Sequence, residues 1–299
     1  MKNNIWYDRY LYLKDTLIKI KNRIIYFPLL KKIKVKTTDE TLDEILKRKT
    51  SLIRLGDGEL NLIFGENLKF QKHNKKIEKE LKEILKFNSE DLLICLPNIF
   101  SDLNIYTDDA KLFWKQYLLR KIHKILRVID FNKIYYDTQI SRFYMDVRDK
   151  EKVKSRVQKI FKIWEGREVI IIEGEKSRLG VGNNLFEKAK KIERIICPSH
   201  EAYSISEKIF EKVLKKEKDK LILLALGPTA TILGYKLYKK GYQVIDIGHI
   251  DVEYEWYLKK AQKKEALKNK YIGEVSNINQ IEDIFDRNYQ NQIIEKILK

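Results

Sequence analysis

The sequence predicts an α/β protein, a Rossmann-like layered fold with a mostly parallel central sheet flanked by helices. Three observations predict it. Six short apolar runs recur without polar alternation, which suits strands buried on both faces. Amphipathic helical segments separate most of them, the rhythm of right-handed βαβ crossovers. Four of the runs open directly into glycine and then polar residues, as strand ends do where such a sheet binds its ligand.

The first element is a helix over residues 5–27. Trp6, Tyr10, Leu13, Leu17, Ile20, Ile24 and Phe27 follow one another at intervals of 4 and 3, with lysines around them. Pro28 is expected to stop it. The seam fits a helix docked on its own core, a helix paired with a second copy in a homo-oligomer, or an interfacial helix on an anionic membrane. The strands follow as "SLIRL" (51–55), "DLLICL" (91–96), "EVIIIE" (168–173), "RIIC" (194–197), "LILLAL" (221–226) and "YQVIDI" (242–247). Helical segments are predicted at 75–86, 152–164, 201–215 and 229–240. No Pro- or Ser-rich linker interrupts 38–260. One domain over 38–265 is therefore expected, preceded by a basic helical segment (1–37) and followed by a helical tail (266–299) that packs on or extends it.

At 299 residues, 43% hydrophobic and 35% charged, the chain has length for a large packed core under a charged surface. No apolar run is long enough to span a bilayer, and charges interrupt every candidate signal-peptide core. Cys95 and Cys197 stand far apart, which argues against a disulfide framework or zinc site and for a reducing cytoplasm. The net charge of +18 points to a negative partner. Ten basic residues against two acidic ones, a net +8, fall within residues 1–36, while lysines elsewhere mix with glutamates. With no nucleic-acid-binding motif in view, specific nucleic-acid binding is not expected. A peripheral position at the inner face of a membrane is.

Each strand end supplies candidate site residues. After 51–55 come Gly56, Asp57, Gly58 and Glu59. A tight turn is one account of them. The other is a pair of hard oxygen ligands for Mn²⁺ or Mg²⁺, which bind through one or two carboxylates plus substrate phosphates. On extended backbone, side chains two apart share one side, and the glycines leave room for a diphosphate. "GPTATI" (227–232) places Gly227 at a sharp turn, Pro228 at the first helical position and Thr229 in the first turn, a helix N-terminus suited to an anion. In "SRLGVGNNLF" (177–186), Gly180 and Gly182 form G-x-G, but Leu185 breaks the dinucleotide fingerprint. Arg178 there could pair with phosphate. In "DIGHIDVEYEWY" (246–257), His249 sits just past a strand with Asp246, Asp251, Glu253 and Glu255. Such a cluster can orient sugar hydroxyls or deprotonate an acceptor, and His249 with Glu255 are the expected catalytic pair. Arg54, Gly56, Gly58, Arg178, Gly180, Gly182, Asn183, Gly227, Pro228, Thr229 and Asp246 form the expected donor-binding set.

"RLGDGEL" (54–60), "SRFYMD" (141–146), "EGEKSRLGVGNNLF" (173–186) and "ALGPTATILGYKLYKKGYQVIDIGHIDVEYEWY" (225–257) resemble the DUF1792 family, the GT-D-fold glycosyltransferases of bacterial surface glycans. The resemblance covers roughly residues 38–260. It implies that the D-x-E motif, here Asp57-Gly58-Glu59, binds Mn²⁺ or Mg²⁺ with a nucleotide-sugar donor, UDP-glucose or UDP-galactose being expected. It also implies transfer of the hexose to a glycan or lipid-linked acceptor in polysaccharide or glycoprotein assembly. The chain departs from the family pattern at Asn184 and Phe143, where the family has Asp and Pro. A metal-dependent nucleotide-sugar hydrolase, or a nucleotide-binding protein without transfer activity, is the alternative that the residues leave open.

Overall fold

In the computed structural model, residues 5–272 and 281–298 are described, the side chains of 5–8, 10 and 11 excepted. The strands are β1 (Lys34–Val35), β2 (Ser51–Arg54), β3 (Leu92–Leu96), β4 (Ile134–Asp137), β5 (Glu168–Gly174), β6 (Lys191–Cys197), β7 (Leu221–Ala225), β8 (Val244–Asp246) and β9 (Ile293–Lys296). They form one sheet in the order β1-β4-β3-β2-β8-β7-β5-β6-β9. Every strand pairing among the described residues is parallel. β1 lies at one edge beyond β4; from β2, near the centre, the chain runs outward through β3 to β4 and then crosses to fill the other half. The connections leaving the neighbouring strands β2 and β8 run to opposite sides, to β3 and to β9, and such a switch point is where these sheets open a crevice at their carboxyl ends.

Helices cover both faces, so the central strands are apolar throughout. Leu52, Leu93 and Ile171 pack in one layer with Leu42 of α3 (Thr38–Arg48), Ile160 of α7 (Val153–Trp164) and Trp256 of α10 (Ile250–Leu258). On the other face Ile53, Ile94 and Leu96 meet α4 (Asp57–Ile63), α5 (Lys75–Lys86) and α6 (Asp108–Val128). Ile170, Ile222 and Leu224 meet α8 (Ser206–Val213) and α9 (Pro228–Tyr238). α3 begins with a full capping box, in which Thr37 accepts from the Glu40 amide while Glu40 accepts from the Thr37 amide. Asn74 caps α5 through the amides of Lys76 and Ile77.

The two ends of the chain differ from expectation. Among the described residues of the tail predicted to be helical, the one helix is the short α11 (Arg287–Gln292), after which β9 joins the sheet beside β6. β1 likewise falls inside the predicted N-terminal segment and pairs with β4. Both ends are thus edge strands of the one sheet. At the N-terminus, α1 (Ile5–Lys21) continues through a π-helical turn, Asn22–Tyr26, into α2 (Phe27–Leu30). Pro28 does not stop the helix, because it lies in the first turn of α2, where no intrahelical N–H is needed. The predicted apolar seam faces solvent: Leu13, Leu17, Ile20 and Ile24 are 56%, 66%, 51% and 69% exposed. The side chains of Trp6 and Tyr10 lie outside the described residues. Facing the body are Asn22, whose Nδ2 donates to the Leu119 carbonyl of α6 at 2.7 Å, and Tyr26 with Phe27, the last residue of the seam, both packed half-buried on the core.

Gly234 sets the distance between α9 and the sheet. A Cβ there would lie 2.8 Å from Ile53 Cγ2 and 3.2 Å from Leu224 Cδ1. Gly→Ala in a helix ordinarily gains about 1 kcal/mol, whereas overpacking a filled core costs about 1–3 kcal/mol. Overpacking is expected to win, so Gly234→Ala should lower stability in urea denaturation. A more stable variant would show that α9 can shift away from β2 freely.

Candidate active site

β2 ends in Arg54, and the side chain turns sideways to β8. Its Nη2 donates to Asp246 Oδ1 at 2.9 Å, its Nε to the Asp246 carbonyl at 3.2 Å, and its Nη1 to Ser141 Oγ at 2.5 Å. Burial pushes the Asp246 carboxyl up, and the Arg54 charge pulls it back down. Gly248, at φ +41°, lies directly against this guanidinium, since a Cβ would sit 1.9 Å from Arg54 Nη2. A side chain at 248 would displace the arginine.

Gly56 then reverses the chain into α4 with Asp57 as its first residue and Glu59 as its third. The Gly56 amide donates to Glu59 Oε2 at 2.7 Å, so Glu59 folds back over its own helix start. This corrects the expectation of an extended segment. Helical residues two apart are rotated by about 200°, so the two carboxylates do not project in parallel. Both still border one cleft. Burial pushes Glu59 up to about 7, with Arg54 opposing.

The cleft spans the sheet's carboxyl edge. Arg54 and Gly56–Glu59 come from β2, Gly174 and Ser177 from β5, Pro198 and Ser199 from β6, Gly227 and Pro228 from β7, and Gly248, His249 and Asp251 from β8. Gly227 takes φ +53°, and the Phe70 ring packs where its Cβ would be, at 3.0 Å. The structure thus brings together Arg54, Gly56, Asp57, Gly58, Glu59, Gly227, Pro228 and His249, with Asp246 buried beneath them. Thr229 is buried behind the turn and stands outside the lining.

Five expected residues lie elsewhere. Arg178 turns away and donates to the carbonyls of Asn269 (2.7 Å) and Glu282 (2.8 Å), holding the C-terminal segment. Gly180, Gly182 and Asn183 border a separate groove beside Arg194 and Tyr289. Asn183 Nδ2 also donates to Asp251 Oδ1 (2.8 Å) and Glu255 Oε1 (2.7 Å), and Lys270 Nζ reaches both acids at 2.7 and 3.2 Å. Glu255 is therefore absent from the cleft wall and braces α10 against the loop after β5. Asn184, one of the departures from the family pattern, accepts from the Tyr254 hydroxyl at 2.7 Å. Phe143, the other, is buried in the core.

Sequence reasoning missed Arg142, Phe70, Gln71 and Tyr271 on the cleft wall. Arg142 carried a signal, since it stands in the quoted "SRFYMD" just beyond β4. That loop is held by Glu253, fully buried on α10, whose Oε2 accepts from the amides of Tyr144 and Met145 at 2.8 Å each. Among the described residues, Glu253 Oε1 has no hydrogen-bond partner.

The cleft and its sheet define a Rossmann-like α/β protein with its site at the winding switch point, and the comparisons narrow the class. The chain belongs to the GT-D-fold glycosyltransferase family, whose model matches residues 52–275. It is 41% identical over 267 residues to glycosyltransferase GlyD of Streptococcus pneumoniae serotype 4, and 39% identical over 268 residues to the probable glycosyl transferase Gly of Streptococcus gordonii. Each match covers 89% of this chain but only 33% and 39% of those longer proteins. A solved DUF1792 structure described as having a distinct glycosyltransferase fold superposes with a TM-score of 0.88 at 39% identity, covering 92% of this chain and 99% of that one. A second, a DUF1792 glycosyltransferase from Streptococcus sanguinis, gives 0.85 at 38% identity, with 89% and 99% covered.

Burial pushes Glu253 up to about 7 from the ordinary 4.5 of an exposed carboxyl, against the backbone bonds and Arg142, which lower it. The native state then holds a proton that the unfolded chain releases between about pH 4.5 and 7. This group's contribution to stability is complete at low pH and is lost as pH rises through that window. Glu253→Gln keeps an acceptor for both amides and removes the charge. It is expected to flatten the pH dependence and to exceed the wild type above pH 7 by up to about 3 kcal/mol. Parallel stability curves from denaturation at several pH values would contradict this.

Proposed function

We propose that this chain is a metal-dependent hexosyltransferase that uses a UDP-sugar, UDP-glucose or UDP-galactose, and a glycan or lipid-linked acceptor in bacterial surface polysaccharide or glycoprotein assembly. One observation carries the reading. The carboxylates of the β2–α4 turn share a single cleft with the glycine-led N-terminus of α9 and with His249 at the start of α10. Because β2, β8 and β7 are adjacent strands, these three turns are neighbours.

The donor set fits a hard cation. Among the described residues no group of three or more His, Cys, Asp and Glu side chains gathers around a point, so a closed protein cage is not built. One or two carboxylates facing a phosphate site is the arrangement that Mg²⁺ and Mn²⁺ use with a diphosphate. Asp57 and Glu59 would hold the ion, Glu59 through the oxygen left over from its bond to Gly56. Bound there, the ion neutralises charge on the departing diphosphate. The positive end of the α9 helix dipole attracts the same anion, and Arg142 adds positive charge on the cleft wall. In the transfer the bond from the sugar's anomeric carbon to UDP breaks, and a bond to the acceptor oxygen forms. His249 takes or orients the acceptor hydroxyl proton, and UDP leaves with its electron pair.

Release of UDP from UDP-hexoses, with and without a glycan acceptor, tests this reading. EDTA is expected to stop turnover and Mn²⁺ or Mg²⁺ to restore it. Asp57→Asn should lose most activity, and His249→Ala should lower kcat by at least about tenfold while donor affinity changes less. Full activity of Asp57→Asn in EDTA would defeat the metal reading. UDP release indifferent to every acceptor would make the protein a hydrolase.

A further inference from the structure

We infer that α1 seats this protein on a bilayer surface rich in anionic lipid headgroups. Among the described residues α1 meets the body at α6, and Asn22, directly after it, donates there to the Leu119 carbonyl. At about 100° per residue, Leu13, Leu17 and Ile20 lie nearly opposite Asn22, and with Ile24 they make an apolar stripe more than half exposed along its length. Cations border it: Lys21 runs along one side and Arg9 along the other, both exposed, while Asp15 faces away and pairs with Lys19 at 2.6 Å. Exposed Lys31 and Lys32 follow directly, extending the positive field beyond the helix.

An apolar stripe edged by cations matches the boundary between lipid tails and anionic headgroups, which takes both parts at once. A second copy of the chain is a poor match. Two-fold pairing would set a segment of net +8 against itself. Polyanions in water would meet the lysines but leave the leucines and isoleucines exposed. No helix among the described residues is long and apolar enough to cross a membrane, so the contact is one of lying on the surface.

The test is co-sedimentation of the full chain with vesicles of phosphatidylcholine alone and of phosphatidylcholine mixed with phosphatidylglycerol. Binding is expected only to the anionic vesicles, weakening as salt is raised. Leu17→Asp with Ile20→Asp should reduce partitioning by at least about tenfold. Arg9→Glu with Lys21→Glu should do so by a similar factor. All four side chains are exposed, so unchanged melting curves will show that the variants fold. Three outcomes would overturn the inference: no binding to anionic vesicles, binding by both variants as tight as that of the wild type, or a wild-type dimer in sedimentation that Leu17→Asp with Ile20→Asp separates.

Discussion

The candidate site rests on the ion pair between Arg54 and Asp246. It crosses from β2 to β8 at the switch point, with the carboxylate almost wholly buried. One guanidinium gathers the surrounding turns. Its Nη1 holds Ser141 of the turn after β4, its Nη2 leaves no room for a Cβ at 248, and its charge lowers the Glu59 carboxyl that burial raises. The Arg54 carbonyl accepts from Thr231 Oγ1 at 2.7 Å, which fixes α9 to the same point. Removing one partner of such a buried pair costs about 3–5 kcal/mol, because the other charge is stranded. Here the loss would also release the walls of the cleft from one another.

Other charged groups that look catalytic in the sequence work as struts. Asp251 and Glu255 share Lys270 and Asn183, which ties α10 to the loop after β5. Glu173 and Arg194 pair at 2.6 Å inside the sheet, and Glu173 also accepts from the Leu179 amide, which sets the start of that loop. Buried carboxylates near a crevice are thus used twice over. Asp57 and Glu59 border the open space, while Glu173, Glu253 and Glu255 hold the loops that shape it. Chemistry proposed for a cleft acid depends on this division, since a strut cannot swing toward a ligand without loosening a wall.

How much was legible followed from burial. β2, β3, β5 and β7 announce themselves because both faces are covered, which leaves Leu, Ile and Val in unbroken runs. β4 and β9 do not, because one residue in two meets solvent and the strands read as "IYYD" and "IIEK". The glycine-led turns after β2, β7 and β8 were visible, since those glycines answer to backbone shape and close approach. Side-chain direction was not. Whether Asp57 and Glu59 project together depends on where α4 starts, and Arg178 points away because carbonyls of the distant C-terminal segment draw it. Arg142 stayed hidden for the opposite reason, since its loop is placed by Glu253, more than a hundred residues later. The seam of α1 shows the limit of periodicity: it identifies an apolar face and says nothing of what the face meets.

The crevice at the β2–β8 switch point, built around Arg54, is the proposed seat of the donor's diphosphate. A crystal structure of the chain with UDP and Mn²⁺ tests it most directly. The diphosphate is expected between the β2–α4 turn and the N-terminus of α9, with the ion in contact with Asp57. A diphosphate in the groove lined by Gly182, Asn183 and Arg194, with the Arg54 cleft empty, would contradict it.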